Sequence, residues 1–255
     1  MLRFKSLGSG SSGNATLVEA TGLWPFRLLV DCGLGLRALT QRLANAGLGV
    51  QDIDAIFITH EHGDHVGCAP ALVRRHGMPI WMSEGTWRGC GQPELGELLH
   101  LTADGDHIDL GAMALRPFAV PHDAREPLQL HCSDGQRALG ILTDLGHAPA
   151  SVLQRLQGCQ ALLLECNHDP DLLSSSAYPH FLKKRVGGEW GHLANAQSAD
   201  IAKHLQPGLR RVLAGHLSRQ NNRPELAEAA LRQVLGDGVE IAVADALTGS
   251  DWLTV

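Results

Sequence analysis

Short apolar runs alternate with amphipathic stretches along most of the chain. Continuous or alternating apolar patterns predict strands over 16–19, 27–30, 55–59, 80–82, 108–110, 112–120, 138–143, 161–165, 211–214 and 241–243. Leu36, Leu39 and Leu43 are spaced three and four apart, which predicts a helix over 36–46 that ends at Gly47. Further helices are predicted over 65–76, stopped by Gly77 and Pro79, and over 148–156, 194–205 and 224–235, the last with Pro224 in its first turn. Hairpin-like strands early and strand–helix alternation later point to an α/β sandwich of mixed sheets with helices outside. No linker, low-complexity tract or repeat interrupts the pattern, so 1–255 reads as one domain.

Composition narrows the classes. Hydrophobic residues at 44% and charged residues at 19% exclude a disordered chain, and 255 residues can bury a sizeable core without disulfides. Aromatics stand at 4% with a single tyrosine, poor material for a base-stacking platform. No apolar run nears the ~20 residues of a membrane span, and no apolar stretch follows Arg3 and Lys5 as a signal peptide requires. Cys32, Cys68, Cys90, Cys132, Cys159 and Cys166 form no C-x-x-C pair and read as free thiols, so a cytoplasmic location is expected. The net charge is −6, yet residues 183–223 hold eight basic and two acidic residues. Such asymmetry can mark an anion-binding face on an acidic body.

The 14 histidines change the picture most. His60, His62, Asp64 and His65 fall within Thr59-His60-Glu61-His62-Gly63-Asp64-His65, after one apolar strand and before a helix. Residues two apart at a strand end converge when the chain turns, and Gly63 permits the turn. Packed imidazoles would repel if charged and need partners if neutral, so a divalent cation is the economical explanation.

H-x-H-x-D-H after a strand resembles the metal-binding motif of the metallo-β-lactamase superfamily of hydrolases. The resemblance implies an αββα sandwich of two mixed sheets flanked by helices. It also implies two divalent metal ions, with His60, His62 and His122 at one, Asp64, His65 and His216 at the other, and Asp144 bridging them. Asp31 corresponds to the Asp that braces the ligands from behind. With no Cys among the ligands, Zn²⁺ fits well and Mn²⁺ is tolerated. Such a pair is expected to keep hydroxide between the metals and to clamp a phosphodiester, which makes Asp64 and Asp144 catalytic candidates.

The stretches SLGSGSSGNA, VDCG, THEHGDHVGC, VPHDA, LTDLG, LLLECNHD, GHLAN and GHLSRQNNRP more closely resemble the YycJ/WalJ branch, though Ala194 stands where that branch usually has Ser. The branch implies a nuclease acting on DNA, of 5′-exonuclease type. His192 and His216 also resemble the paired late histidines of RNase J-like nucleases, which implies that His192 contacts the scissile phosphate. Only 71 residues separate Asp144 from His216, too few for those nucleases' inserted cap domain. The Ser/Gly run offers Ser11 and Asn14 as further phosphate contacts, and His168 is a candidate because it follows a strand on the ligand side. His76, His100, His107, His131, His147, His180 and His204 read as surface or core residues. The alternative is a thioester or lactone hydrolase of the glyoxalase II or lactonase type.

Overall fold

The computed structural model describes all 255 residues. Its chain opens with three antiparallel strands, β1 (Leu2–Gly8), β2 (Ala15–Thr21) and β3 (Pro25–Val30). β1 is absent from the predicted set, although Leu2 and Phe4 are buried and alternate with half-buried Arg3 and Lys5. Helix α1 (Leu36–Asn45) leads to β4 (Ala55–Phe57), which runs parallel to β3. The helix expected over 65–76 is two helices, α2 (Gly63–Val66) and α3 (Ala69–His76). They break at Gly67, whose φ of 39° no helix contains. Then β5 (Ile80–Met82), α4 (Glu84–Gly89) and β6 (Leu99–Leu101) complete that half, both strands parallel to β4.

The second sheet begins as an antiparallel meander, β7 (Ile108–Asp109), β8 (Ala114–Ala119), β9 (Leu128–Ser133) and β10 (Ala138–Leu142). It continues in parallel through α5 (Ala150–Leu156), β11 (Ala161–Glu165), α6 (Pro170–Ser175), α7 (His180–Val186), α8 (Asn195–Leu205), β12 (Arg211–Gly215), α9 (Pro224–Leu235) and β13 (Glu240–Val243). Finally β14 (Leu253–Thr254) returns to pair with β1. The sheets are thus seven-stranded, in the orders β14-β1-β2-β3-β4-β5-β6 and β13-β12-β11-β10-β9-β8-β7.

Three apolar clusters explain the layering. Phe4, Val18, Leu130, Leu139, Leu163 and Leu213 meet between the sheets. Leu162 and Leu164 point the other way, under α5, α8 and α9, and Leu17, Leu29 and Ile56 lie under α1 and α3. A strand such as β11 is buried on both faces, so its sequence is a continuous apolar run instead of an alternation. The result is the expected αββα sandwich of two mixed sheets. The parallel strands of each sheet end at one edge, and the candidate ligands follow those ends. No helix is long and apolar enough to cross a membrane.

Candidate metal centre and its pocket

Three of the site residues sit at left-handed backbone positions: Asp31 (φ 60°), Asp144 (φ 53°) and His216 (φ 54°). Each lies within two residues of a strand end, after β3, β10 and β12 respectively. Side chains with a Cβ pay for this conformation, by about 1–3 kcal/mol each. The sharp turn takes each residue out of the strand direction and into the gap between the two sheets' edges.

His60, His62 and His122 converge as one group. His60 Nε2 lies 3.0 Å from His62 Nδ1, and His122 Nε2 lies 3.4 Å from the same atom. Tetrahedral coordination with Zn–N near 2.0–2.1 Å places ligand nitrogens about 3.3 Å apart. The opposite ring nitrogens are tethered: His122 Nδ1 donates to the Gly191 carbonyl, and His60 Nδ1 meets the Thr59 hydroxyl. Burial, then the neighbouring His65, pushes His60 well below the ordinary histidine range, and burial also lowers His122. Neutral imidazoles are what a cation needs.

Asp64, His65 and His216 converge as the second group, and Asp144 clusters with His60 and His65 through one set of atoms and with Glu165, His192 and His216 through another. His65 Nδ1 is held 2.7 Å from Asp31, whose carboxylate also accepts from Thr59 N and Oγ1, so Asp31 orients the candidate ligand His65. His65 Nε2 lies 2.7 Å from Asp144 Oδ2, yet that oxygen has no hydrogen-bond partner; neither does His216 Nε2, although both atoms are buried. Buried polar atoms that crowd one point without bonding each other fit a shared cation. Burial disfavours a charged His65, but Asp144 and Asp31 outweigh it and raise the imidazole to about 10. Those carboxylates concentrate negative potential where a cation would sit.

The turn that presents Asp64 and His65 packs against Gly33, where an added Cβ would lie 1.6 Å from the Asp64 carbonyl. Only glycine allows that approach.

Glu165, at the end of β11, is a site residue that the sequence reading did not single out. It is fully buried and accepts from His192 Nδ1 at 2.7 Å and His216 Nδ1 at 3.1 Å. Burial pushes its pKa up, but His192 and His216 pull the carboxyl down to about 2. The signal was a lone acid closing an otherwise apolar strand. With Nδ1 of His192 committed to Glu165, the other ring nitrogen is left to face the pocket.

That pocket, about 370 Å³, is lined by Ser11, Asp64, Asp144, His192, His216 and Asn221, among others. Asn221 is a second unforeseen residue: it is fully buried and its side-chain amide has no partner. Two candidates lie elsewhere. Asn14 does not line the pocket; its Nδ2 lies 3.0 Å from His65 Nε2 and 3.4 Å from Asp64 Oδ2, so it touches two candidate ligands and not the open pocket. His168 lines a neighbouring groove. Ser9, in the same Ser/Gly run, accepts from His216 N at 2.6 Å and ties the run to the ligand. The basic segment does not form one face. Arg185 reaches the pocket, paired with Asp123 at 2.6 Å, whereas Arg211 starts β12 at the far end from His216 and pairs with Glu240.

A beta-lactamase superfamily domain matches residues 26–217. The chain is 32% identical over 254 residues to exodeoxyribonuclease WalJ of Streptococcus pneumoniae, covering 95% of this chain and 93% of that one. It is 32% identical over 239 residues to exodeoxyribonuclease YycJ of Bacillus anthracis, covering 92% and 89%. Among solved structures, the metallo-beta-lactamase fold protein YhfI of Bacillus subtilis superposes over the whole of both chains with a TM-score of 0.77 at 16% identity.

Proposed function

The chain belongs to the beta-lactamase superfamily, and from that premise we propose that it is a dinuclear metal-dependent phosphodiesterase, an exonuclease of 5′ type acting on DNA. The observation that carries the reading is Asp144, which clusters with His60 and His65 and also with His216, and whose Oδ2 is buried without a hydrogen-bond partner. His60, His62 and His122 would hold one ion and Asp64, His65 and His216 the other, with Asp144 shared; Zn²⁺ or Mn²⁺ suits an all-N/O set. When bound, such ions supply a water that ionises near neutral pH and a positive clamp for phosphoryl oxygens. The protein's part is to orient and stabilise. His192, held by Glu165, presents its free ring nitrogen to a phosphoryl oxygen as charge builds there. Burial lowers its pKa, but Glu165 and Asp144 outweigh that and raise the imidazole well above its ordinary range. Ser11 and the Asn221 amide line the same pocket and offer neutral hydrogen bonds.

Phosphate is favoured over a neutral thioester or lactone by the imidazole of His192, a hydrogen-bond donor in the pocket, and by the relatives that carry exodeoxyribonuclease names. One domain across 1–255 suffices, since both sheets contribute ligands. The six free cysteines support the cytoplasm as its compartment. The test is Asp144→Ala: it should lower metal content by elemental analysis and abolish cleavage of end-labelled DNA with Mn²⁺ or Zn²⁺ supplied. A wild-type chain that holds no more than one ion after reconstitution would refute the dinuclear reading.

A further inference from the structure

A larger groove of about 650 Å³ lies beside the metal pocket, with Tyr178 lining both and α7 forming a wall common to the two. On α7, Leu182, Arg185 and Val186 face the metal pocket, whereas His180, Lys183 and Lys184, with Gly187 just past the helix end, face the groove. The two lining sets differ in charge. The metal pocket contains Asp64, Asp123 and Asp144; the groove contains no carboxylate and two lysines.

Two further features face the groove. His168 is 4% exposed and its Nδ1 has no partner, an unpaired polar atom of the kind that a ligand or water satisfies. Its backbone is fixed, since its carbonyl accepts from Asn195 N. The eleven-residue helix α8 also begins here, and its N-cap Ala194 has no side chain to accept from the first turn. The amides of Ala196 and Gln197 have no protein acceptor, and Ala194 and Gln197 line the groove. Gln197 Oε1 folds back to accept from Ala194 N at 2.8 Å, but the two first-turn amides stay free, and free helix N-terminal amides beside two lysines are a place for an anion.

Resting on the phosphodiesterase reading, we propose that this groove binds the backbone phosphates of the substrate strand adjacent to the scissile bond. A strand with one phosphate in the metal pocket would pass Tyr178 and cross α7, whose Phe181 is 72% exposed and offers a face to a base. The groove's volume falls in the range of sites that enclose small ligands, so it suits a short stretch of strand, not a duplex.

The experiment compares a phosphorothioate-linked single-stranded dodecanucleotide, followed by fluorescence anisotropy, with hydrolysis of bis(4-nitrophenyl) phosphate. The protein is metal-loaded throughout. Lys183→Glu with Lys184→Glu should weaken oligonucleotide binding by on the order of tenfold or more and reduce the slope of log K against log salt by about 2, leaving the small diester untouched. Ala194→Asp supplies the missing cap and places a charge where a phosphate would lie. It should raise Tm by about 2–4 °C while weakening oligonucleotide binding, a combination that a folding defect does not produce. If both variants bind the oligonucleotide as the wild type does, the groove assignment fails and the phosphodiesterase reading stands. If small-diester hydrolysis falls in step with binding, these residues serve the metal pocket and the assignment also fails. If the wild type neither binds nor cleaves DNA, both fail together.

Discussion

Glu165 shows how much of the site lies one layer behind the ligands. Its two oxygens take His192 Nδ1, His216 Nδ1 and the backbone N–H groups of Leu145 and Leu193. It therefore orients the rings of a proposed ligand and of a proposed phosphate contact together. Glu165→Gln keeps the shape but removes the charge and offers a donor where Nδ1–H must be accepted. We expect metal affinity to fall by roughly 10–100-fold, the scale for a lost partner behind a ligand. Turnover at saturating metal should fall by roughly 10²–10³ as His192 loses its orientation. Metal titration and single-turnover cleavage measure the two effects separately; unchanged values in both would remove Glu165 from the site. The residues legible in advance were those in a dense motif or in a recognised order. Glu165 and Asn221 were not, because an acid or an amide after a strand has no meaning until its neighbours are known.

At the scale of elements, three neighbouring strands of the first sheet are tied together by Glu19 on β2. Its carboxylate is 3% exposed and receives Arg3 from β1 and Arg27 from β3 at 2.6–2.7 Å. Arg3 in turn lies 4.2 Å over the ring of Trp252, just before β14. Burial alone would raise the Glu19 pKa, but Arg3 and Arg27 outweigh it and the net shift is downward. A carboxyl whose folded pKa is depressed contributes stability above its unfolded value, and loses it as pH falls through the folded value. Glu19→Gln should therefore cost ~1–2 kcal/mol near pH 7. The difference from wild type should shrink below about pH 4, as the native carboxyl protonates. Urea unfolding at both pH values checks this; an equal gap at both would exclude the ion pairs as the source. Elements with strong patterns, such as α1, α9 and β11, lie close to their predicted bounds. The short helices α4, α6 and α7 and the strand β9 had no prediction, because one or two turns of helix carry too few periodic positions.

For the whole molecule, the seven proposed ligands come from both sheets, so the converged set exists only in the folded chain. Metal should therefore stabilise the fold by mass action, by about 2.7 kcal/mol per ion at a hundredfold excess over Kd, or about 5 kcal/mol for two. For a chain of this size the pair corresponds to roughly 10–20 °C in Tm. Chelation should lower Tm by that amount, and restoring Zn²⁺ or Mn²⁺ should recover it. A Tm indifferent to chelation would mean that the ligands are not filled in the folded state. Affinity should also weaken in acid, since each histidine must shed its proton to bind.

The sequence by itself determined the sandwich and offered the candidate ligands. Apolar periodicity dictates which faces must be buried, and His60, His62, Asp64 and His65 are neighbours in the chain before they are neighbours in space. The tertiary structure alone decided what those ligands lean on: Asp31 on His65, Glu165 on His192 and His216, and the Gly33 contact that seats the Asp64 turn. It also decided that Lys183 and Lys184 flank an uncapped helix start while Arg211 does not. The physical reason is range. Burial and turn preferences act over a few residues and can be read along the chain. Hydrogen bonds and fields act over a few ångströms between residues as far apart as Ser9 and His216, and only packing the two sheets together brings such partners within reach.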